Sequence, residues 1–431
     1  MRARHRLLVL LAVLAGASAA GPGLARAAEQ TFVLKAGPYT IKPYVAEQGI
    51  VRAPSPGVNG YLRALRVDIV DRSGRVLGDH DVMLHHVVFA NVLRRDTMCS
   101  SYAGFTGASI GYAPERFFGV GEERFGLSLP AGYGYPVSSS DIWGMVYMLM
   151  NHHAKRESVY IRYTVTVAVG EQLVPVTPLW LDVRNCRADP VFDAPGTGGP
   201  GSTYARKVDV AMPLAGRIVA AGGHLHGGGT ALELSDLTCN ASLFTSRPSW
   251  GRSEPRPILH EAGPSHMSSF ASSEGIPVAA GDTLRLTATY DDSLPHTRVM
   301  GIMLAYLAQS PVTGCGPIPD LQVDLGQPGS PPLAPMPLAR QPRGPARHVS
   351  SSVVGDFAFV TGRALVGRGT RFTWRFIGPS EHNVTLASGP VGFSSPTLER
   401  ARWSYRFTRA GVYRLYCSLH PVSMTQIVRV R

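Results

Sequence analysis

Residues 411–430 read GVYRLYCSLHPVSMTQIVRV, and apolar and polar residues alternate at both ends of this stretch but not in its middle. Alternation with period two marks strands with one packed and one wet face. The stretch is therefore two strands joined by a loop. That loop is C-x2-H-x3-M, with Cys417, His420 and Met424 at its fixed points. Upstream, after the alternating RFTWRF of residues 371–376, stands Glu381-His382-Asn383-Val384. A tight loop thus brings three donors to one end of a β-sandwich and a distant strand supplies the fourth. One thiolate, two imidazoles and a thioether are the donor set of a mononuclear blue copper site, and zinc would not favour the methionine.

The same alternation recurs toward the N-terminus. Val159, Ile161, Tyr163, Val165 and Val167 alternate with Tyr160, Arg162, Thr164 and Thr166, and Leu284, Leu286, Ala288 and Tyr290 repeat the pattern. Asp71-Arg72-Ser73-Gly74 reads as a hairpin turn. No long segment has a 3.6-residue period, and 47 glycines and 34 prolines punctuate short strands. The class is all-β and sandwich-like. Residues 187–203 are rich in Gly and Pro, and residues 316–349 carry nine prolines without a strand pattern. The latter reads as a semi-rigid linker that leaves the last module independent. The expected modules are 30–190, 203–315 and 350–431.

Residues 1–27 read as a secretory signal. Arg2, Arg4 and Arg6 precede the apolar Leu7–Ala15, and Ala25-Arg26-Ala27 offers a cleavage site. The apolar run is too short to span ~30 Å of hydrocarbon, and no later stretch is long and apolar enough. The chain is expected to be secreted or in the cell envelope. Four arginines of the leader contribute to the net charge of +12, and residues 351–431 hold eleven arginines, no lysine and only Asp356, Glu381 and Glu399 as acids. In an exported chain that excess points either to an acidic redox partner or an anionic surface, rather than to nucleic acid, or simply to a solubilised surface. Of five cysteines, Cys417 lies in the metal motif, which leaves four to pair in an oxidising compartment. Three connectivities are open. Cys99–Cys186 with Cys239–Cys315 is favoured, because each pair stays within one module.

The C-terminal 80 or so residues resemble the cupredoxins, the plastocyanin and amicyanin family, through RFTWRF and the closing strand–loop–strand. That resemblance implies a small Greek-key sandwich with a type 1 copper held by His382, Cys417, His420 and Met424. The methionine spacing falls between the two best-known loop lengths of that family.

Three histidine groups lie further upstream: His85-His86 in MLHHVVF, His152-His153 after GMVYMLMN, and His224-Leu225-His226 in GGHLHGGG. His224 and His226 can leave one face of a strand. Adjacent His85 and His86 can ligate together only at a bulge or a strand end. In this order, with Ser128-Leu129-Pro130-Ala131-Gly132-Tyr133-Gly134 before the third group, they resemble the copper type II, ascorbate-dependent monooxygenases that hydroxylate peptidylglycine and dopamine. The resemblance spans residues 80–310 and implies two tandem jelly-roll β-sandwiches and two further coppers. His85, His86 and His152 would hold the one that stores an electron. His224, His226 and Met300, with Met303 as the other candidate, would hold the catalytic one, where O2 attacks a C–H bond of an unidentified small molecule. The reductant would be an ascorbate-like molecule or an external donor with an acidic surface, working through the fused blue site. The sequence departs from the family at the place of its carboxylate-clamping arginine, which is Gly222 here, and Ile302 and Leu304 follow the methionine. A peptide carboxylate is thereby disfavoured and the rim is expected to be more apolar. Two other readings use the same residues: a non-enzymatic envelope protein for copper binding or electron transfer, and a structural or carbohydrate-binding base with vestigial histidines.

Overall fold

The computed structural model describes residues 28–79, 81–102, 112–250, 260–326, 338 and 340–431. Residues 1–27, the expected secretory signal, and part of the Pro-rich segment lie outside the described residues. Among those described, regular structure is strand throughout, with no α-helix, and no helix is long and apolar enough to cross a membrane.

The first sandwich sets the order Ala28–Ile41, Glu157–Val169, Gly60–Val70, Tyr133–Val137 against a second sheet, Ala46–Ala53, Trp143–Asn151, Val82–Arg95, Pro114–Gly121. The alternation of residues 159–167 is realised here. Val159, Ile161, Tyr163, Val165 and Val167 are wholly buried and the residues between them are partly exposed. At the predicted turn, Gly74 N–H donates to Asp71 O at 3.0 Å.

The chain then departs from a string of separate modules. Val174–Asp182 pairs in parallel with Tyr133–Val137 at Val174 and Pro175 and in antiparallel with Gly301–Gln309 from Val176 to Asp182. One continuous sheet therefore runs from the first sandwich into the second, through Gly301–Gln309, Gly216–Leu225 and Ser269–Val278. Its centre is covered on both faces, which is why GIMLAYLAQ is almost wholly apolar. Ile302, Leu304, Tyr306 and Ala308 belong to the core of the first sandwich, whereas Met303, Ala305 and Leu307 pack in the second, beneath Thr203–Ala211, Thr283–Asp291, Gly229–Asp236 and Ala241–Ser246. Tyr306 Oη donates to Phe117 O at 2.8 Å, tying the shared sheet to the first sandwich.

The C-terminal sandwich pairs Arg363–Val366, Thr425–Val430, Gly411–Tyr416 and Thr385–Ser388 in one sheet and Ser351–Gly355, Arg371–His382 and Leu398–Arg406 in the other. It is not independent. Gly392 N–H donates to Pro195 O at 2.9 Å and Ala46 N–H to Leu419 O at 3.2 Å. Ser394 N–H donates to Asp193 at 2.8 Å and Thr297 Oγ1 to Leu386 O at 2.9 Å. Ala46, Met83, Met148 and Met150 of the first sandwich share a core with Cys417, Leu419 and Met424. The disulfides Cys99–Cys186 and Cys239–Cys315 both form, and Cys417 is free and buried.

Candidate metal centres

His382 ends its strand, and Cys417, His420 and Met424 follow from the loop after Gly411–Tyr416. The two histidine Nδ1 atoms stand 3.2 Å apart, and Cys417 Sγ lies 4.0 Å from that of His382 and 3.8 Å from that of His420. Donors each ~2.0–2.3 Å from a shared ion have separations of this size. Asn383 holds the loop in place. Its N–H points at Cys417 Sγ, its Oδ1 accepts from Ser418 N–H at 2.9 Å, and its Nδ2 donates to Ser418 Oγ at 2.8 Å. Met424 N–H donates to His420 O and Cys417 N–H to Met424 O, so the methionine stays within the same turn. Burial pushes the Cys417 thiol up, and burial with the His382 and Lys42 charges pushes His420 down to about 4. Unprotonated imidazoles beside a buried thiol suit a soft, thiolate-binding metal.

The second cluster is assembled from both larger sandwiches. The register of Val82–Arg95 against Trp143–Asn151 slips between Leu84 and His86. This bulge brings the Nδ1 atoms of His85 and His86 to 3.1 Å, the condition that joint ligation by neighbours requires. The His85 ring centroid then lies 5.0 Å from that of His226 and 5.1 Å from that of His260, and His224 and His226 are 5.0 Å apart. The HH pair and the HxH pair therefore do not form two separated centres but meet in one cluster. His152 does not stand with them. Its Nδ1 lies 2.6 Å from Asp79 O, and it lines a shallow depression with Tyr44, His153 and Lys155. His260, which the sequence reading did not name, lies beside His85 instead.

Two acids orient the cluster. Both Oε atoms of Glu123 lie 3.0 Å from His224 Nδ1, which leaves His224 Nε2 buried without a partner. A carboxylate on one ring nitrogen fixes the tautomer and frees the other nitrogen for a metal. His226 Nε2 is also buried and unpartnered. Glu122 Oε1 is 3.0 Å from His260 Nε2, and donor atoms of His85, Glu122 and His260 all lie within 4.8 Å of one another. Burial and neighbouring rings hold His85 and His226 well below the usual imidazole range, while the charges of Glu123 and Glu122 outweigh burial and raise His224 and His260. Met300 is buried on the same cavity, and Tyr290 ties it in, since Tyr290 Oη donates to Met300 O and accepts from His226 N–H. Met303 faces the opposite core. His260, Glu122 and Glu123 escaped the sequence reading because none sits in a spaced histidine motif. The paired acids of GVGEERFG were the one local signal.

The cluster opens on a cavity of about 1320 Å³ lined by His85, His86, His224, His226 and Met300 on one side and by Tyr416, Ser418 and Leu419 of the C-terminal loop on another. The cavity thus runs from the histidine cluster to residues that flank Cys417 in the C-terminal loop.

No protein-family model matches the chain. It is similar, at 25% identity over 304 residues, to the probable copper-dependent oxygenase M1 of Phoma sp., with 65% of this chain and 72% of that protein covered. It is equally similar, at 25% over 256 residues, to the probable copper-dependent oxygenase clz3 of Cochliobolus lunatus, with 56% and 75% covered. Among solved structures, a purple cupredoxin from Nitrosopumilus maritimus matches 19% of this chain over its own full length, at 25% identity and a TM-score of 0.18. An oxidized amicyanin variant matches 19% of this chain and 80% of its own, at 25% identity and the same TM-score of 0.18.

Proposed function

We propose that the protein is an exported copper-dependent oxidoreductase that uses O2 to hydroxylate a C–H bond of a small molecule and draws its electrons through its own C-terminal blue-copper sandwich. His382, Cys417, His420 and Met424 would hold the electron-transfer copper. His85, His86, His224, His226 and Met300, joined by His260, would hold the copper of the oxygen-using cluster. When bound there, copper supplies the reactivity toward O2 and the one-electron steps. The chain's own residues fix the imidazole tautomers through Glu122 and Glu123, carry His85, His86 and His224 on strands with His226 and Met300 at strand ends, and enclose the site between three sandwiches. The copper-dependent oxygenase names of the two relatives support the reaction class, and the disulfides support export.

One observation carries the electron supply. The C-terminal ligand loop is docked on the sheet that bears the histidines. Leu419 O, between Cys417 and His420, accepts from Ala46 N–H at 3.2 Å. Ala46 is the cross-strand partner of Met150, and Met150 that of Met83, two residues before His85. Inserting one oxygen atom of O2 into C–H and releasing the other as water consumes two electrons and two protons. A blue site delivers the electrons singly, and an ascorbate-like molecule or an acidic redox protein would replenish it.

The test is anaerobic reduction kinetics. With the blue site reduced first, the Cu(II) resonance of the histidine cluster should decay at a rate independent of protein concentration. If the blue site stays reduced while that resonance persists, the internal supply is wrong and the copper-binding alternative replaces it.

A further inference from the structure

The cavity beside the histidine cluster has a floor and a charged wall whose chemistry is independent of the metal donors. The floor is the outer face of the sheet that carries His85 and His86. Ile50, Val146, Val88 and Gly119 are successive cross-strand partners, one row beyond Met148, His86 and Gly121. Ile50 is 59% exposed and Val146 37%, so this row is apolar surface open to the cavity. The next row holds Gly144, Ala90 and Arg116. From His86 to Ala90 the strand advances four residues, roughly 13 Å at ~3.3 Å per residue.

The segment 184–190 runs beside this floor. The Cys99–Cys186 disulfide anchors it at the Arg116 end, where Arg116 Nη2 lies 3.0 Å from Cys99 Sγ. Asp189 anchors it toward the His86 end, 2.9 Å from Arg298 Nη2. It presents Arg184, just before the first anchor, and Arg187, between the two, to the cavity. Arg116 and Arg298 are paired with Asp96 and Asp189, whereas among the described residues Arg184 and Arg187 have no carboxylate within ion-pair distance. Arg206 stands close behind with its Nε buried and unpartnered. Burial and the like charges of Arg206 and Arg187 hold Arg184 below the usual guanidinium range. Guanidinium groups gathered at a cavity wall without a direct carboxylate partner call for an anion. The clamp position at Gly222 is closed to any larger residue without displacement, since a Cβ there would lie 3.2 Å from Phe125 Cζ.

We infer that the substrate of this site is an amphipathic molecule with an anionic end held at Arg184 and Arg187 and an apolar body lying over Val88, Val146 and Ile50, which presents a carbon on the order of 10 Å from the anion to the histidine cluster. This rests on the oxygenase reading for the word substrate, but not for the binding itself.

Calorimetric titration of the full-length protein with sodium dodecanoate, dodecylamine, acetate and inorganic phosphate tests it. Dodecanoate should bind at least about tenfold more tightly than each of the other three. The double variant Arg184→Gln/Arg187→Gln should lose about tenfold for dodecanoate, the size of lost charge-assisted hydrogen bonds, and keep its visible absorption as proof of folding. Val146→Asp should weaken dodecanoate in the same way. Equal binding of dodecylamine, or an unchanged double variant, overturns the anion site. Acetate or phosphate binding as well as dodecanoate overturns the apolar floor, and absence of dodecanoate binding overturns the whole inference. A protein that passes these titrations but consumes no O2 overturns the oxygenase reading alone.

Discussion

A methyl group at position 121 would stand 2.5 Å from His224 Cε1 and 2.9 Å from Glu123 Oε2. Gly121 pairs with His86 across the strands, so this missing side chain lets an imidazole of the second sandwich approach the histidine pair of the first. Gly121→Ala should therefore cost ~1–3 kcal/mol of stability by overpacking. It should also lower the copper held by the histidine cluster, while metal analysis and visible absorption show the Cys417 site intact. His260→Ala should likewise lower cluster copper, and His152→Ala should leave it unchanged. If the metal counts of these two variants are reversed, the third imidazole is misassigned. The histidine pairs were legible because a doublet or an HxH repeat is visible locally. His260 lies far from both in sequence and joins them only when two sandwiches close, so no spacing could announce it.

Strands were legible wherever one face stays wet, as in Val159–Val167, where the alternation and the burial coincide. Strands buried on both faces lose the alternation, and GIMLAYLAQ, which joins the two larger sandwiches, gave no hint of the sheet it completes. The docking of the third sandwich was equally hidden, because scattered polar contacts and a shared core of residues far apart in sequence carry it. The short strand Phe192–Ala194 supplies the main one. Asp193 accepts from Ser394 N–H and Oγ at 2.8 Å each and from Arg298 N–H at 3.0 Å, and so touches all but the first sandwich. Hydrogen bonds to a carboxylate contribute roughly 1.5–3 kcal/mol each. Asp193→Ala should leave both copper spectra unchanged and slow the concentration-independent reduction of the histidine cluster. Unchanged reduction kinetics would show that the remaining contacts suffice.

Three sandwiches in one chain solve a supply problem only if the electron moves within the molecule. Under the proposed function each hydroxylation would draw two electrons and the C-terminal copper would carry one, so that sandwich would be reduced twice per turnover while docked. A carrier tied to its acceptor acts at an effective concentration in the millimolar range or above. Free in solution at about 1 μM, the same carrier would deliver roughly a thousandfold more slowly. Two variants separate these cases. Cys417→Ser removes the thiolate and with it the blue absorption, but leaves the histidine cluster. His224→Ala weakens the cluster and leaves the blue site. With an acidic redox protein as the only donor, neither should sustain O2 consumption alone. Mixed at about 1 μM, they should restore it at about a thousandth of the wild-type rate, rising linearly with concentration, because each electron must then cross between molecules. A mixture as fast as wild type would mean that docking contributes nothing to delivery. A Cys417→Ser protein that turns over normally with that donor would place the electron entry point elsewhere.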